Sequence, residues 1–228
     1  MDASVVIYCD FDGTVTQDDV IDVLLTDLAD PDWRRIEADW ERGLIGSREC
    51  LARQIPLIRG GWPAIARRLD TIRLDPTFAP FASWCAANGW PLRLVSDGLD
   101  RVITTLLERD GIVVASVRAN HLAASATDEL AITFPYPPVQ PDCRAGLCKC
   151  LALRQAAPGV RRVVIGDGHS DWCWAARADQ VFAKSTLLTH CLVEGIACTP
   201  FRDFDEVRRV LSTGRRVRPR RPQLVSGP

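Results

Sequence analysis

The sequence predicts an α/β protein built on a doubly wound, mostly parallel sheet, with a small helical cap domain inserted behind its first strand. Three observations point there. Short β-branched apolar runs alternate with segments of helical period along most of the chain. Three of those runs, Val5–Cys9, Pro91–Val95 and Val163–Gly166, end in clusters of Asp, Ser and Gly, and the carboxyl ends of strands in an open parallel sheet are where ligands bind. Between the first run and the second lie four amphipathic helical stretches, where one crossover needs a single helix.

Val5-Val6-Ile7-Tyr8-Cys9 is short, continuous and rich in β-branched residues, as suits a strand buried on both faces, and it runs into Asp10-Phe11-Asp12-Gly13-Thr14. From Asp18 to Leu28 the apolar residues Val20, Ile21, Val23, Leu24, Leu25 and Leu28 fall at helical spacing. Pro31 can open a second helix with Trp33, Ile36 and Trp40 on one face. Gly43 and Gly46 punctuate, and a third helix from Ser47 carries the stripe Leu51, Ile55 and Ile58. Gly60-Gly61 breaks it, and residues 63–72 form a fourth. The expected boundaries are an α/β core of residues 1–15 and 76–211, a helical cap of residues 16–75, and a basic tail of residues 212–228.

Pro76 to Asn88 reads as a helix burying Phe78, Phe81, Trp84 and Cys85, with Gly89 as its stop. The strand Pro91–Val95 ends in Ser96-Asp97-Gly98, and a helix over residues 100–109 and a strand over residues 112–117 follow. Residues 120–142 lack helical period; Leu130–Phe134 suits one strand of a hairpin, and Pro135, Pro137, Pro138 and Pro141 make an irregular lead. Residues 147–157 are helical and carry Lys149 near their start. The strand Val163–Gly166 ends in Asp167-Gly168-His169-Ser170-Asp171, where Ser170 or Asp171 is placed to cap a helix through Arg177. A strand at 180–183, a helix at 187–193, a strand at 196–199 and a helix at 204–211 complete the series. Arg215, Arg216, Arg218, Arg220 and Arg221 then stand among prolines without apolar period, the composition of a disordered, solvated tail.

With 47% hydrophobic and 25% charged residues and a net charge of -1 over 228 residues, the composition is that of an ordinary globular protein, and neither a nucleic-acid nor a membrane partner is expected. No basic stretch precedes the first apolar run, and Asp10 interrupts it, so it reads neither as a secretory signal nor as a membrane span. A cytoplasmic protein is expected, its nine cysteines reduced. Cys9 and Cys85 fall in apolar patterns as small core residues. Cys143, Cys148 and Cys150 cluster, but without paired Cys-x-x-Cys spacing or an evident fourth ligand, so thiols around a loop are expected rather than zinc.

A buried strand ending in two carboxylates is costly unless a cation neutralises them, so Asp10 and Asp12 ask for a metal ion. Asp10-Phe11-Asp12-Gly13-Thr14, Ser96, Lys149, and Gly166-Asp167-Gly168 with Asp171 occur in an order that resembles the haloacid dehalogenase superfamily, specifically its aspartate-nucleophile phosphatases. The resemblance implies a Rossmann-like core, Mg²⁺ as cofactor and a small phosphomonoester as substrate. It implies Asp10 as the nucleophile that forms an aspartyl-phosphate, and Asp12 as the general acid and base. Asp10, Asp167 and the Asp12 main-chain carbonyl would hold Mg²⁺, an ion that takes oxygen ligands, with Asp171 ligating directly or orienting a bound water. Ser96, the N–H groups around Asp97 and Gly98, and Thr14 would surround the phosphate, and Lys149 would bridge it to Asp10. The residue types fit the chemistry, because a phosphate dianion resists an anionic nucleophile until cations screen it.

Within the superfamily, the helical insert resembles the cap of the phosphoserine phosphatase group. Cys143, Cys148, Lys149 and Cys150, Phe182-Ala183-Lys184, Pro200-Phe201 and Asp203-Phe204 resemble more closely the methionine-salvage phosphatases that act on 2-hydroxy-3-keto-5-methylthiopentenyl-1-phosphate. Asp97 stands where phosphoserine phosphatases usually place Gly, which adds negative charge near the phosphate site and weighs against phosphoserine. A phosphomutase would share all four motifs. A receiver-like signalling domain would carry its phosphorylated Asp mid-chain, and a non-catalytic phosphate-binding module would not need the intact Asp10/Asp12 pair. Arg34, Arg35, Trp33 and Trp40 are candidates to choose the substrate, although periodicity places the tryptophans in the core. His169 takes no role, and a second copy of the chain is the one macromolecular partner left open.

Overall fold

In a computed structural model that describes residues 4–124, 129–138, 140 and 142–213, the core is a seven-stranded sheet in the order β4-β3-β2-β1-β5-β6-β7. The strands are β1 (Val5–Cys9), β2 (Leu92–Leu99), β3 (Ser116–Ala124), β4 (Leu130–Thr133), β5 (Arg161–Gly166), β6 (Gln180–Ala183) and β7 (Thr199–Pro200). All neighbours run parallel except β3 and β4, which form an antiparallel pair with His121 opposite Thr133. The chain builds outward from β1 to β4, then returns to the other side of β1 with β5. The strand order therefore reverses between β1 and β5, the topological switch point at which an open α/β sheet leaves a crevice.

The central strand shows why a continuous apolar run was required. Val5, Ile7 and Cys9 point into one apolar cluster, and Val6 and Tyr8 into another on the opposite face. The first cluster gathers α5 (Phe78–Ala87), α6 (Asp100–Arg109) and α10 (Phe204–Ser212). It also takes in α1 (Val20–Leu28), α2 (Trp33–Glu41), α3 (Ser47–Gln54) and α4 (Gly61–Leu69), through residues such as Leu24, Trp33, Leu51 and Ile65. The second face is covered by α7 (Lys149–Arg154), α8 (Trp172–Ala175) and α9 (Ser185–Val193). Each fully buried aliphatic or aromatic side chain contributes about 1.5–3 kcal/mol of transfer free energy.

The helical insert leaves and re-enters the core by two segments that pair with each other. Thr16 and Leu74 form an antiparallel bridge, and the Asp75 N–H donates to the Val15 carbonyl at 2.7 Å. On one side the Arg109 guanidinium of α6 donates to the Leu69 and Ile72 carbonyls at 2.7 and 3.0 Å, and Arg101 stacks over the Trp62 ring at 3.8 Å.

Several element bounds differ from the sequence expectation, for local reasons. β2 continues through Ser96-Asp97-Gly98 to Leu99, with an irregularity in its pairing to β3 between Val95 and Leu99. The third strand was expected over residues 112–117 but starts at Ser116. Gly111 adopts φ +64°, and the Ile112 N–H returns to the Leu107 carbonyl at 2.9 Å, so the residues after it unwind from α6 before pairing begins. The helix expected over 147–157 is shortened to Lys149–Arg154: Cys148 is still extended, with its N–H on the Tyr136 carbonyl, and Gln155 already leaves the helical conformation ahead of Pro158. Neither Ser170 nor Asp171 caps α8 through its side chain, since the Asp171 carboxylate turns back to its own loop. The strand expected at 196–199 shrinks to Thr199–Pro200, where proline blunts the sheet edge. The tail lies outside the described residues from 214 onward, and Ser212 ends α10.

Candidate active site

Asp10 is the first residue beyond β1, and its N–H donates to the Ile165 carbonyl of β5 at 2.9 Å, which fixes it over the switch point. Phe11, fully buried, anchors the loop in the apolar cluster and sends Asp10 and Asp12 to either side of itself. The N–H groups of Thr14, Val15 and Thr16 all converge on the Phe11 carbonyl, at 3.2, 2.8 and 3.1 Å. This tight turn needs Gly13, whose φ is +68° and whose hypothetical Cβ would lie 2.6 Å from Asp167 Oδ2. The close approach brings the end of β5 against the end of β1.

Lys149, 1% exposed at the start of α7, is the centre of the site. Its Nζ meets Asp10 Oδ1 and Asp171 Oδ1 at 2.7 Å each and donates to Ser170 Oγ at 2.8 Å, using all three ammonium protons. Burial alone would lower the lysine's pKa, but the two carboxylates outweigh it and hold the ammonium above its ordinary value. Asp171 is fully buried, and its Oδ2 accepts from the Asp167 and Gly168 N–H groups at 3.0 and 3.1 Å. Carboxylate oxygens of Asp10, Asp167 and Asp171 lie within 4.8 Å of one another. Burial first, and then the Asp171 charge, push the Asp10 carboxyl well above the usual carboxylate range. Burial likewise raises Asp167, whose Oδ1 accepts from the Thr14 hydroxyl at 2.8 Å.

Three carboxylates thus face one ammonium, which leaves an excess of negative charge in a buried place. The donor set is entirely oxygen, the ligand chemistry of a hard divalent cation such as Mg²⁺. Among the described residues this is the sole group of three or more side chains placed to hold a metal. All nine cysteines lie among the described residues as free thiols, and Cys143, Cys148 and Cys150 do not converge as such a group.

Asp12 faces the other way. Its Oδ2 accepts from the Ser96 hydroxyl at 3.0 Å, and its Oδ1 from the Val20 N–H at the start of α1 at 3.2 Å. Burial, reinforced by the nearby Asp19 charge, pushes its pKa up to about 7 against those two hydrogen bonds. The Gly98 N–H donates to Ser96 Oγ at 2.8 Å, and a Cβ on Gly98 would collide with the Asp12 carboxylate.

Beside the group of Asp12, Ser96 and Gly98, the structure therefore brings Asp10, Thr14, Lys149, Asp167 and Asp171 into one connected cluster. Thr14 serves Asp167 within it, and the Asp97 carboxylate turns to Ser47, Asn120 and Leu147 instead. Sequence reasoning missed Ser170, the third partner of the ammonium, which its place in the Asp167–Asp171 loop could have signalled. It also missed a function for Lys184, whose Nζ donates to the Thr14 carbonyl at 3.3 Å from behind the loop. His169 is exposed, and its ring lies edge-on to Trp172 at 4.2 Å and to the half-exposed Trp40 of the insert at 6.2 Å. Trp33, by contrast, is buried in the core.

The profile of the haloacid dehalogenase-like hydrolases matches residues 7–176, a span that holds every member of this cluster. The chain belongs to that family of enzymes. Its relatives narrow the class. A 2-hydroxy-3-keto-5-methylthiopentenyl-1-phosphate phosphatase of Geobacillus kaustophilus is 31% identical over 214 residues, 91% of this chain and 95% of the relative. The phosphatase of the same name from Bacillus velezensis is 31% identical over 89% of this chain and 87% of its own. In fold, the chain is similar to a phospho-aspartyl intermediate analogue of phosphoserine phosphatase, with a TM-score of 0.67 and 18% identity over 93% of this chain and 99% of that one. Among the described residues, no helix is long and apolar enough to cross a membrane.

Proposed function

We propose that the chain is a Mg²⁺-dependent phosphomonoester hydrolase that works through an aspartyl-phosphate on Asp10. The single observation that carries this reading is Lys149, buried between Asp10 and Asp171 while Asp167 completes an acidic triad, with a second acid of pKa about 7 two residues from Asp10. Lys149 holds Asp10 Oδ1, which leaves Oδ2 as the oxygen that attacks phosphorus. As that O–P bond forms, the bond from phosphorus to the substrate's alcohol oxygen breaks and Asp12 gives its proton to the departing alcohol. Asp12, now a carboxylate, takes a proton from water as the water oxygen attacks phosphorus, which frees inorganic phosphate and restores Asp10. Ser96 and the backbone N–H groups around Gly98 supply donors to the phosphoryl oxygens, and Lys149 adds a fixed positive charge. Mg²⁺, held by Asp10, Asp167, Asp171 and the Asp12 main-chain carbonyl, would screen the phosphate's negative charge.

The substrate is a small phosphorylated metabolite. The similarity to the Geobacillus and Bacillus enzymes supports the methylthiopentenyl phosphate of methionine salvage, and hence a cytoplasmic setting. Phosphoserine is the second reading, supported by fold alone. The Asp97 carboxylate, which accepts from Ser47 of the insert and from the Leu147 N–H, still adds negative charge beside Ser96 and weighs against that second reading. Helices α1–α4 act as the cap over the phosphate site. The test is a phosphate-release screen over phosphorylated metabolites that includes a methylthiopentenyl phosphate analogue and phosphoserine, run with the wild type and with Asp10→Asn. Turnover that needs Mg²⁺ and is lost in the variant supports the reading; undiminished turnover by Asp10→Asn, or in excess chelator, overturns it.

A further inference from the structure

Asp97 lies one residue beyond Ser96 yet makes no contact with the acidic triad. Its Oδ2 accepts from the Ser47 hydroxyl at 2.5 Å, and its Oδ1 accepts from the Leu147 N–H at 2.8 Å and from Asn120 Nδ2 at 3.0 Å. The Ser47 hydroxyl in turn accepts from the Gly146 N–H at 3.1 Å. Ser47 is the first residue of α3 in the insert, and Leu147 stands two residues before Lys149. One carboxylate therefore joins the insert, the end of β2 and the segment that delivers the catalytic ammonium.

The surroundings are shaped for that junction. A Cβ on Gly146 would lie 2.6 Å from Asp97 Oδ1, and one on Gly46 would collide with the Arg144 backbone, so both glycines permit the contact. Arg144 donates to the Leu44 and Gly43 carbonyls at 3.1 and 2.8 Å, and the Arg48 N–H returns to the Arg144 carbonyl at 3.2 Å. The insert thus also meets the core here, away from the paired segments at Thr16 and Leu74 through which it is attached.

We propose that Asp97 is a positioning residue, a latch through which seating of the insert on the core fixes the backbone that carries Lys149. The proposal rests on the phosphatase reading for its catalytic consequence and not for its structural one. When the insert is seated, Ser47 and Leu147 share one carboxylate and Lys149 is held against Asp10. When it lifts, the Leu147 segment loses half of its clamp, so turnover is confined to the covered state.

Asp97→Ala, Asp97→Asn, Ser47→Ala and the double variant Ser47→Ala/Asp97→Ala test this, in the full chain with Mg²⁺ and the best substrate of the screen. Asp97→Ala is expected to lower kcat about a hundredfold, the cost of a displaced catalytic group, with KM changed far less. Asp97→Asn should recover most of that loss, because its amide oxygen still accepts from the Leu147 N–H and its amide nitrogen can reach Ser47. Ser47→Ala should lower kcat about tenfold, and the double variant should be no slower than Asp97→Ala, as expected for two groups on one path. Hydrogen exchange provides the readout without turnover: Ser47→Ala should speed exchange in segment 143–149, across the seam from the substitution. Wild-type kcat in Asp97→Ala, strictly multiplicative single effects, or unchanged exchange at 143–149 overturns the latch. Should the wild type show no phosphomonoesterase activity, the phosphatase reading falls alone, and the exchange measurement still decides the latch.

Discussion

Replacing Lys149 by Met removes the cation that Asp10 and Asp171 share, together with its place over the Trp174 ring at 5.1 Å, while keeping an unbranched apolar side chain. Two ion pairs of 2.7 Å are broken at once, and Asp10 and Asp171 remain in the interior. Breaking a buried pair by deleting one partner costs about 3–5 kcal/mol. For a chain of this length each kcal/mol moves Tm by about 2–4 °C, so a fall of about 6–20 °C is expected in metal-free protein near neutral pH. The sign of the pH dependence follows from Asp10, whose pKa is already raised in the fold by burial and by Asp171, and rises further once Lys149 is gone. An acid with a raised folded pKa binds its proton more tightly folded than unfolded. Its contribution to stability is full below the unfolded pKa and is lost as pH climbs through the folded one. The Tm difference between wild type and Lys149→Met should therefore be small near pH 4 and widen toward pH 8, and millimolar Mg²⁺ should narrow it. Thermal unfolding followed by circular dichroism across that range, with and without Mg²⁺, is the assay. A constant Tm gap at every pH, or a gap that Mg²⁺ leaves untouched, would show that the lysine is not neutralising the acids.

The remaining predictions concern the two carboxylates that do separate work. Asp12→Asn should slow both formation and hydrolysis of the phospho-enzyme by about 10²–10⁴-fold in rapid-quench measurements; a defect in binding alone would contradict the acid and base roles. Because the first step needs Asp12 protonated and its pKa is about 7 in the metal-free fold, the rate of phospho-enzyme formation should fall as pH rises above that value, and this limb should vanish in Asp12→Asn. Thr14→Val removes the hydroxyl that donates to Asp167 Oδ1 at 2.8 Å. Titration calorimetry should then show Mg²⁺ affinity reduced by about 10–100-fold, the usual effect of losing a partner of a ligating carboxylate.

Most of the candidate site was legible because Asp10, Ser96 and Asp167 sit at or near the carboxyl ends of strands, where composition changes abruptly. Val5–Cys9 is apolar on both faces, so the next residue that carries charge, Asp10, had to lie at the carboxyl end of the strand. The same logic found Ser96 and Asp167. It could not tell where the side chains would turn. Thr14, expected at the phosphate, is drawn to Asp167 because Gly13 lets the two loops touch. Asp97 read as a charge beside the phosphate, yet its partners are Ser47, fifty residues earlier, and Leu147, fifty residues later. Contacts of that separation leave no period or spacing in a single sequence. Strand bounds failed for a related reason. Residues 112–115 are apolar enough for a strand, but the Ile112 N–H is spent on closing α6 and the first bond to β2 is made only by the Ala115 N–H, at 2.8 Å to the Leu92 carbonyl.

The position of the insert explains why the two acids of one short motif can act differently. An insertion after β1 starts its first helix eight residues beyond Asp12, and the Val20 N–H at that helix's start is what Asp12 Oδ1 accepts. Asp10, on the other side of buried Phe11, points to the crevice where β5 returns and finds Lys149 and Asp171. A simple crossover helix would have served the sheet equally well. By occupying that crossover, the insert supplies a hydrogen-bond donor to the acid, while Ser47 of the same insert reaches the segment behind the lysine. The environments of Asp12 and Lys149 are therefore set in part by the element that covers them. It follows that exchanging the helices between β1 and β2 for another set would take the Val20 N–H from Asp12 and the Ser47 hydroxyl from Asp97 and the Gly146 N–H, even if every residue of the sheet is kept.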